Sequence, residues 1–162
     1  MKTAHLGLGS NVGDRETNLR DAVRRLESDE LRVTRRSSLY ETAPRELLDQ
    51  PWFLNAVVEI ETSLFPLQLL RHVRKIEQDM GRRRVVPKGP RNIDIDILFY
   101  GRTIVHTAEL EVPHPRIGER RFVLEPLAEI TPDFRHPLTG KTAREMLGGI
   151  EPQGVRRLDA IL

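Results

Sequence analysis

The chain has 162 residues, 31% charged and 38% hydrophobic, with a formal net charge of +2 and a pI near 9.3. It contains no cysteine, which excludes disulfides, thiolate chemistry and a zinc site of the usual cysteine type. No apolar run approaches the ~20 residues of a membrane helix, and stretches such as FLNAVVEIET are too apolar for disorder. The expectation is one soluble domain over residues 1–162, located in the cytoplasm.

The elements follow in chain order. AHLGLGS (residues 4–10) reads as a strand ending in a glycine-rich turn, and SNVGD leads into a helix of about fifteen residues. Leu19, Ala22, Val23 and Leu26 recur on one face of it. Residues 31–42 read as one strand, and the polar, proline-containing stretch 43–52 as a loop. FLNAVVEIET (53–62) alternates, with Leu54, Ala56, Val58 and Ile60 on one face and Phe53, Asn55, Val57 and Glu59 on the other. A helix follows, with Ser63 as expected cap, Pro66 in its first turn and Gly81 at its end. Its apolar stripe is Leu69, Leu70, Val73, Ile76 and Met80. Residues 82–92 read as a second long loop, broken by Gly89-Pro90. IDIDILFY is a strand, with a turn at Gly101 and a short hairpin strand expected near 103–106. Helices are expected over 120–130 and within TGKTAREMLGG, the latter capped by Thr139 or Thr142. The order β, α, β, β, α, β predicts an α+β fold. Its core would be ferredoxin-like βαββαβ, an antiparallel sheet with helices packed on it and an extra C-terminal hairpin and helices. Residues 151–162 suggest no function.

The sharpest feature is the acidic pair in IDID. Side chains two apart on a strand share a face, so Asp94 and Asp96 project together while Ile93, Ile95 and Ile97 project into the core. Two such carboxylates suit a hard cation, and Mg²⁺ takes phosphate oxygens as further ligands. A D-x-D pattern alone also fits a wet strand face. The neighbouring Arg82, Arg83, Arg84, Lys88 and Arg91 favour an anion beside a metal, the pairing that phosphoryl transfer requires. GLGSNVGD lacks the G-K-[ST] ending of a P-loop, and the G-K-T in LTGKTA lacks the upstream glycine loop. Phe53 and Asn55, on one strand face, could stack on and hydrogen-bond a planar heterocycle. His114, between prolines and followed by Arg116, Arg120 and Arg121, reads equally as a phosphate donor or an exposed loop residue.

Taken together, GPRNIDIDILFYG, GLGSNVGD, YETAP, QPWFLNAVVEIET, IEQDMGR and VPHPRIGERRFVLEPL agree in order and spacing with a known family. The chain resembles 6-hydroxymethyl-7,8-dihydropterin pyrophosphokinase of folate biosynthesis, over nearly its whole length to about Pro132. The resemblance implies transfer of the diphosphate of ATP to the hydroxymethyl group of the pterin, with AMP as the other product. It implies that Asp94 and Asp96 bind two Mg²⁺ ions, and that Phe53 and Phe122 sandwich the pterin. Asn55 and the backbone around Thr42, Ala43 and Pro44 would bond the pterin edge. Glu77 would shape the nucleotide side, and Arg82, Arg91, His114 and Arg120 would hold phosphates, with Arg82 and Arg91 closest to catalysis. Arg84 would lie in a loop that covers the site. The expected partners are ATP and the pterin, with no nucleic acid or membrane, and the expected state is a monomer. The chain departs from the pattern at Pro87-Lys88, where the best-known members carry Arg-Trp. Two other classes share part of this pattern. A metal-dependent nuclease or phosphohydrolase would use the same carboxylates and arginines, and an RNA-binding module would want strand aromatics where the aspartates stand.

Overall fold

The computed structural model describes residues 1–43, 51–81, 92–151 and 153–162. In order the elements are β1 (Lys2–Ser10), α1 (Arg15–Leu26), β2 (Leu31–Arg36), β3 (Ser38–Thr42), β4 (Phe53–Thr62), α2 (Pro66–Asp79) and β5 (Asp94–Tyr100). Then come β6 (Val105–His106), β7 (Glu111–Val112), a 3₁₀ turn (Ile117–Glu119), α3 (Arg121–Ile130), α4 (Ala143–Gly148) and β8 (Val155–Ile161).

The main sheet runs β5-β1-β4-β3-β8, with β2 also on β4, and every pair is antiparallel. Alternation along its strands divides the core in two. Leu6, Leu8, Ala56, Val58, Ile95 and Ile97 face α1 and α2, where Leu19, Val23, Leu26, Leu69, Val73 and Ile76 are buried. Val57, Leu98 and Phe99 pack instead with Val123, Leu124 and Leu127 of α3 and Met146 of α4. This second layer is where the functional residues gather.

Local chemistry explains the element ends. Asp14 caps α1 by accepting from Thr17 N at 3.1 Å. This helix is 12 residues long, shorter than the expected fifteen. α2 begins after Phe65, not after Ser63, because Gln68 reaches back to the Phe65 N–H at 2.9 Å. Gly81, at φ 76°, closes its far end. Of the two cap candidates for α4, Thr142 is the one used, in a capping box with Glu145. The strand expected over 31–42 is two strands. Ser37 is fully buried between them, and its hydroxyl accepts from Val57 N at 2.9 Å, breaking the regular ladder. The hairpin after Gly101 forms as β6 with β7. β8 answers to no sequence expectation and adds a strand at the edge beside β3.

Candidate active site

The site rests on a bare strip of β1. Gly9 stands opposite Asp94 on one side and Asn55 on the other; Gly7 stands between Asp96 and Val57. Directly paired residues share a face, so the two aspartates look across a strand without side chains toward Asn55, about 10 Å away at two interstrand spacings. A Cβ on Gly9 would lie 2.7 Å from Asn55 Oδ1, and one on Gly7 would lie 3.4 Å from Leu98 Cδ2. Glycine is thus required at position 9 by the approach of a neighbour.

On the β4 side, Asn55 is buried and donates from Nδ2 to Thr42 Oγ1 at 2.8 Å. That bond orients the amide with Oδ1 above Gly9. Phe53, half-buried, lies beside it and would be 3.8 Å from the same Cβ. The Ala43 N–H already donates to Gly154 O at 2.9 Å, so what Ala43 can offer a ligand is its carbonyl.

On the β5 side, the buried Glu77 of α2 accepts from the backbone N–H of Ile95 at 2.8 Å through Oε2 and from Arg74 at 3.3 Å through Oε1. Ile95 is the residue between the two aspartates, so the helix fixes their spacing. Asn92 adds a second tie, donating to Met80 O at 2.6 Å. Burial, then the charge of Asp94, raises Asp96 to about 7, with Arg120 opposing and Glu77 adding to the rise.

His114 is held by its backbone N–H to Leu98 O at 2.9 Å, and its Nδ1 accepts from Arg116 N at 3.2 Å. Burial, then Arg120, lowers it to about 4, although Asp94 pulls the other way. It is therefore neutral at pH 7, with Nδ1 occupied as acceptor and Nε2 left as the N–H donor. The Arg120 guanidinium sits 5.7 Å over the centroid of the Phe122 ring.

Asp94, Asp96, Glu77, His114, Arg120 and Phe122 are thus linked by contact or by charge, and Thr42, Asn55 and Phe53 form a second group across the glycine floor. Pro44, Arg82, Arg84 and Arg91 lie outside the described residues. Gly7 and Gly9, which floor the site, carry no functional mark in the sequence alone. Their only trace there is the matching period, G-x-G beside D-x-D, and its meaning depends on a strand register that one sequence does not reveal.

The donor set suits a hard divalent cation. Asp94 and Asp96 supply two carboxylates on one face, and the charge gathered around Asp96 is what a cation would relieve. Among the described residues no group of three or more His, Cys, Asp or Glu is arranged for a metal. Two carboxylates with the remaining positions left to water and phosphate oxygens is the manner of Mg²⁺.

A family model described as 7,8-dihydro-6-hydroxymethylpterin-pyrophosphokinase (HPPK) matches residues 5–132. The chain belongs to this pyrophosphokinase family. The 2-amino-4-hydroxy-6-hydroxymethyldihydropteridine pyrophosphokinase of Bacillus subtilis is 53% identical over 128 residues, covering 78% of this chain and 77% of that one. The folic acid synthesis protein fol1 of Pneumocystis carinii is 46% identical over 139 residues, 86% of this chain. The match spans only 19% of that longer relative. A crystal structure of Plasmodium falciparum HPPK-DHPS with pteroate superposes with a TM-score of 0.73 at 18% identity, over 91% of this chain and 42% of that one. Membership in the pyrophosphokinase family disfavours the nuclease and RNA-binding readings. No helix among the described residues is long and apolar enough to cross a membrane.

Proposed function

We propose that this chain transfers the diphosphate of ATP to the hydroxymethyl oxygen of 6-hydroxymethyl-7,8-dihydropterin, giving the pterin diphosphate and AMP. The observation that carries the reading is the pairing of two carboxylates on β5 with an oriented amide on β4 across a glycine floor. One side suits charged phosphate chemistry and the other suits a flat, hydrogen-bonding ring.

Asn55 Oδ1, held by Thr42, accepts from the amino edge of the pterin, and the Ala43 carbonyl and the Pro44 region extend that edge. Phe53 and Phe122 take the two ring faces. Asp94 and Asp96 are the metal ligands, and two Mg²⁺ ions bound there would neutralise phosphate charge and acidify the attacking hydroxyl. Glu77 keeps the two carboxylates in place from behind. His114 donates from Nε2 to a phosphate oxygen, and Arg120 supplies positive charge beside it. Arg82, Arg84 and Arg91 complete the phosphate contacts in this reading, with Arg82 and Arg91 nearest the transferred group. The pterin oxygen forms its bond to the β-phosphorus. The bond from that phosphorus to the oxygen of the α-phosphate breaks, and AMP leaves with that oxygen. The hydroxyl proton passes to solvent by way of the acidic pair.

The fold assigned to this function is ferredoxin-like, supported by the strand order β5-β1-β4-β3 and by the helix after β1 and the helix after β4. We take residues 1–162 as one catalytic domain, since β8 pairs within the same sheet as β1. We take the monomer as the working unit, the state that the family resemblance implies. We take the cytoplasm as the working setting. Chromatography of the nucleotides formed from MgATP and the pterin tests the reading. AMP from the natural chain, and none from Asp94→Asn or Asp96→Asn, is the expected result. ADP as the product would overturn it.

A further inference from the structure

The C-terminal segment entering β8 does more than extend the sheet. α3 starts without a local cap: its N-cap residue is Arg120, whose side chain makes no capping bond. Helix starts normally draw that acceptor from Ser, Thr, Asp or Asn at the cap. Here the acceptor comes from 32 residues further on. The Arg121 N–H donates to Gln153 Oε1 at 3.1 Å, and Gln153 Nε2 donates to Glu119 O at 3.1 Å. Both ends of the amide are used, one as acceptor and one as donor, so its orientation is fixed. The two bonds grip the backbone on either side of Arg120, two residues before Phe122.

The next residues grip the other side of the site. Gly154 O accepts from Ala43 N at 2.9 Å, and a Cβ on Gly154 would come within 3.2 Å of the Ala43 Cβ, so the two backbones approach closely. Thr42 pairs with Val155 and Glu41 with Arg156 in the β3–β8 register. On the α1 side of the sheet, Glu41 joins Arg156 to Arg15, the latter at 2.9 Å, and Arg15 also donates to Trp52 O at 2.9 Å. Asn11 donates to Pro51 O at 3.1 Å. A stretch of four residues therefore ties Ala43 and Thr42, the latter bonded to Asn55, to Arg120, whose charge acts on Asp96 and His114 and whose guanidinium lies over Phe122.

We infer that Gln153 is a positioning residue for substrate binding: it caps α3 from the C-terminal segment and anchors Arg120 and Phe122 to Thr42, at the end of β3, and to the adjoining Ala43. The inference rests on the pterin and ATP assignment above. Its consequence is that a residue outside the family-matched span sets affinity for both substrates without touching either.

The test is Gln153→Met, which keeps length and packing and loses both bonds. Steady-state kinetics of the full chain should show KM for the pterin and for ATP raised roughly five- to tenfold, the scale of one or two hydrogen bonds, with kcat within about twofold. Amide exchange at Arg121 should accelerate while that at Leu6 in β1 stays unchanged. Gln153→Glu, which keeps the acceptor for Arg121 N–H, should recover most of the lost affinity. Both KM values within twofold of the natural chain, or a fall in kcat alone, would overturn the inference. If the natural chain itself forms no AMP from ATP and the pterin, the parent assignment has failed and the inference goes with it. Turnover by the natural chain with an unaffected Gln153→Met variant refutes the inference alone.

Discussion

Glu77 of α2 accepts a hydrogen bond from the backbone N–H of Ile95 at 2.8 Å, so a buried carboxylate on a helix fixes the one residue that separates Asp94 from Asp96. β5 is an edge strand, and without this bond the N–H between the two aspartates would be left unpaired. Replacing Glu77 with Ala should cost about 2 kcal/mol for that buried donor, or on the order of 4–8 °C in Tm. It should also lower kcat/KM at least tenfold. Glu77→Gln keeps an acceptor and should hold Tm within about 3 °C. Thermal melts of both variants beside their kinetics check this, and equal melting of Ala and Gln variants would refute the role.

Gly9→Ala is predicted to act on the pterin alone. The new Cβ meets Asn55 Oδ1 at 2.7 Å and must displace the amide that donates to Thr42. KM for the pterin should rise at least tenfold, on the scale of a misplaced polar contact, while KM for ATP changes less than twofold. Steady-state kinetics with each substrate varied in turn separate the two.

The acidic pair should bind Mg²⁺ before any chemistry occurs. Adding Mg²⁺ at neutral pH should raise the Tm of the natural chain, since a ligand that binds only the folded form stabilises it. Asp94→Asn and Asp96→Asn should abolish that rise. A chelator should remove activity, and each substitution should lower kcat at least about a hundredfold. Differential scanning calorimetry with and without Mg²⁺ gives the first result independently of turnover.

The legible parts of the fold were those whose signal is local. The alternation of 53–62 put Leu54, Ala56, Val58 and Ile60 on the helix-covered face, and the D-x-D spacing put Asp94 and Asp96 together. The stripe on α2 was also legible, with Leu69, Val73 and Ile76 buried. What stayed hidden depends on partners distant in sequence. Ser37 breaks a strand because Val57 N needs its hydroxyl. β8 reads as VRRLDAI, half-exposed and rich in charge as an edge strand is, and only pairing with β3 defines it. Gln153 looks like any polar residue until Arg121 and Glu119 are beside it. The arginines drawn from the resemblance at 82, 84 and 91 fall outside the described residues.

Histidines that fold in the neutral form should subtract stability in mild acid, while Asp96, raised to about 7, adds to it over the same range. His136 Nδ1 accepts from Leu138 N at 3.1 Å and Thr139 N at 3.3 Å, which requires an unprotonated nitrogen, and burial lowers its pKa. His5 is fully buried beside Phe99 and Phe134, and its Nε2 lies 3.4 Å from Glu59 Oε1. Burial lowers its pKa despite that carboxylate. Both groups take up protons in the unfolded chain near pH 6.5 and resist them when folded. Their contribution is therefore intact above about 6.5 and is lost as pH falls through the lowered folded values. His136→Gln should shift the pH dependence of Tm between pH 7 and 5 toward greater stability in acid, and an unchanged slope would count against this account.

The most direct test of the central claim is phosphorus NMR of the protein with MgATP and 6-hydroxymethyl-7,8-dihydropterin. Loss of the three ATP resonances should be matched one-for-one by an AMP singlet and a pair of coupled diphosphate doublets on the pterin. Appearance of ADP with inorganic phosphate, or no change with folded protein that binds Mg²⁺, would contradict diphosphate transfer.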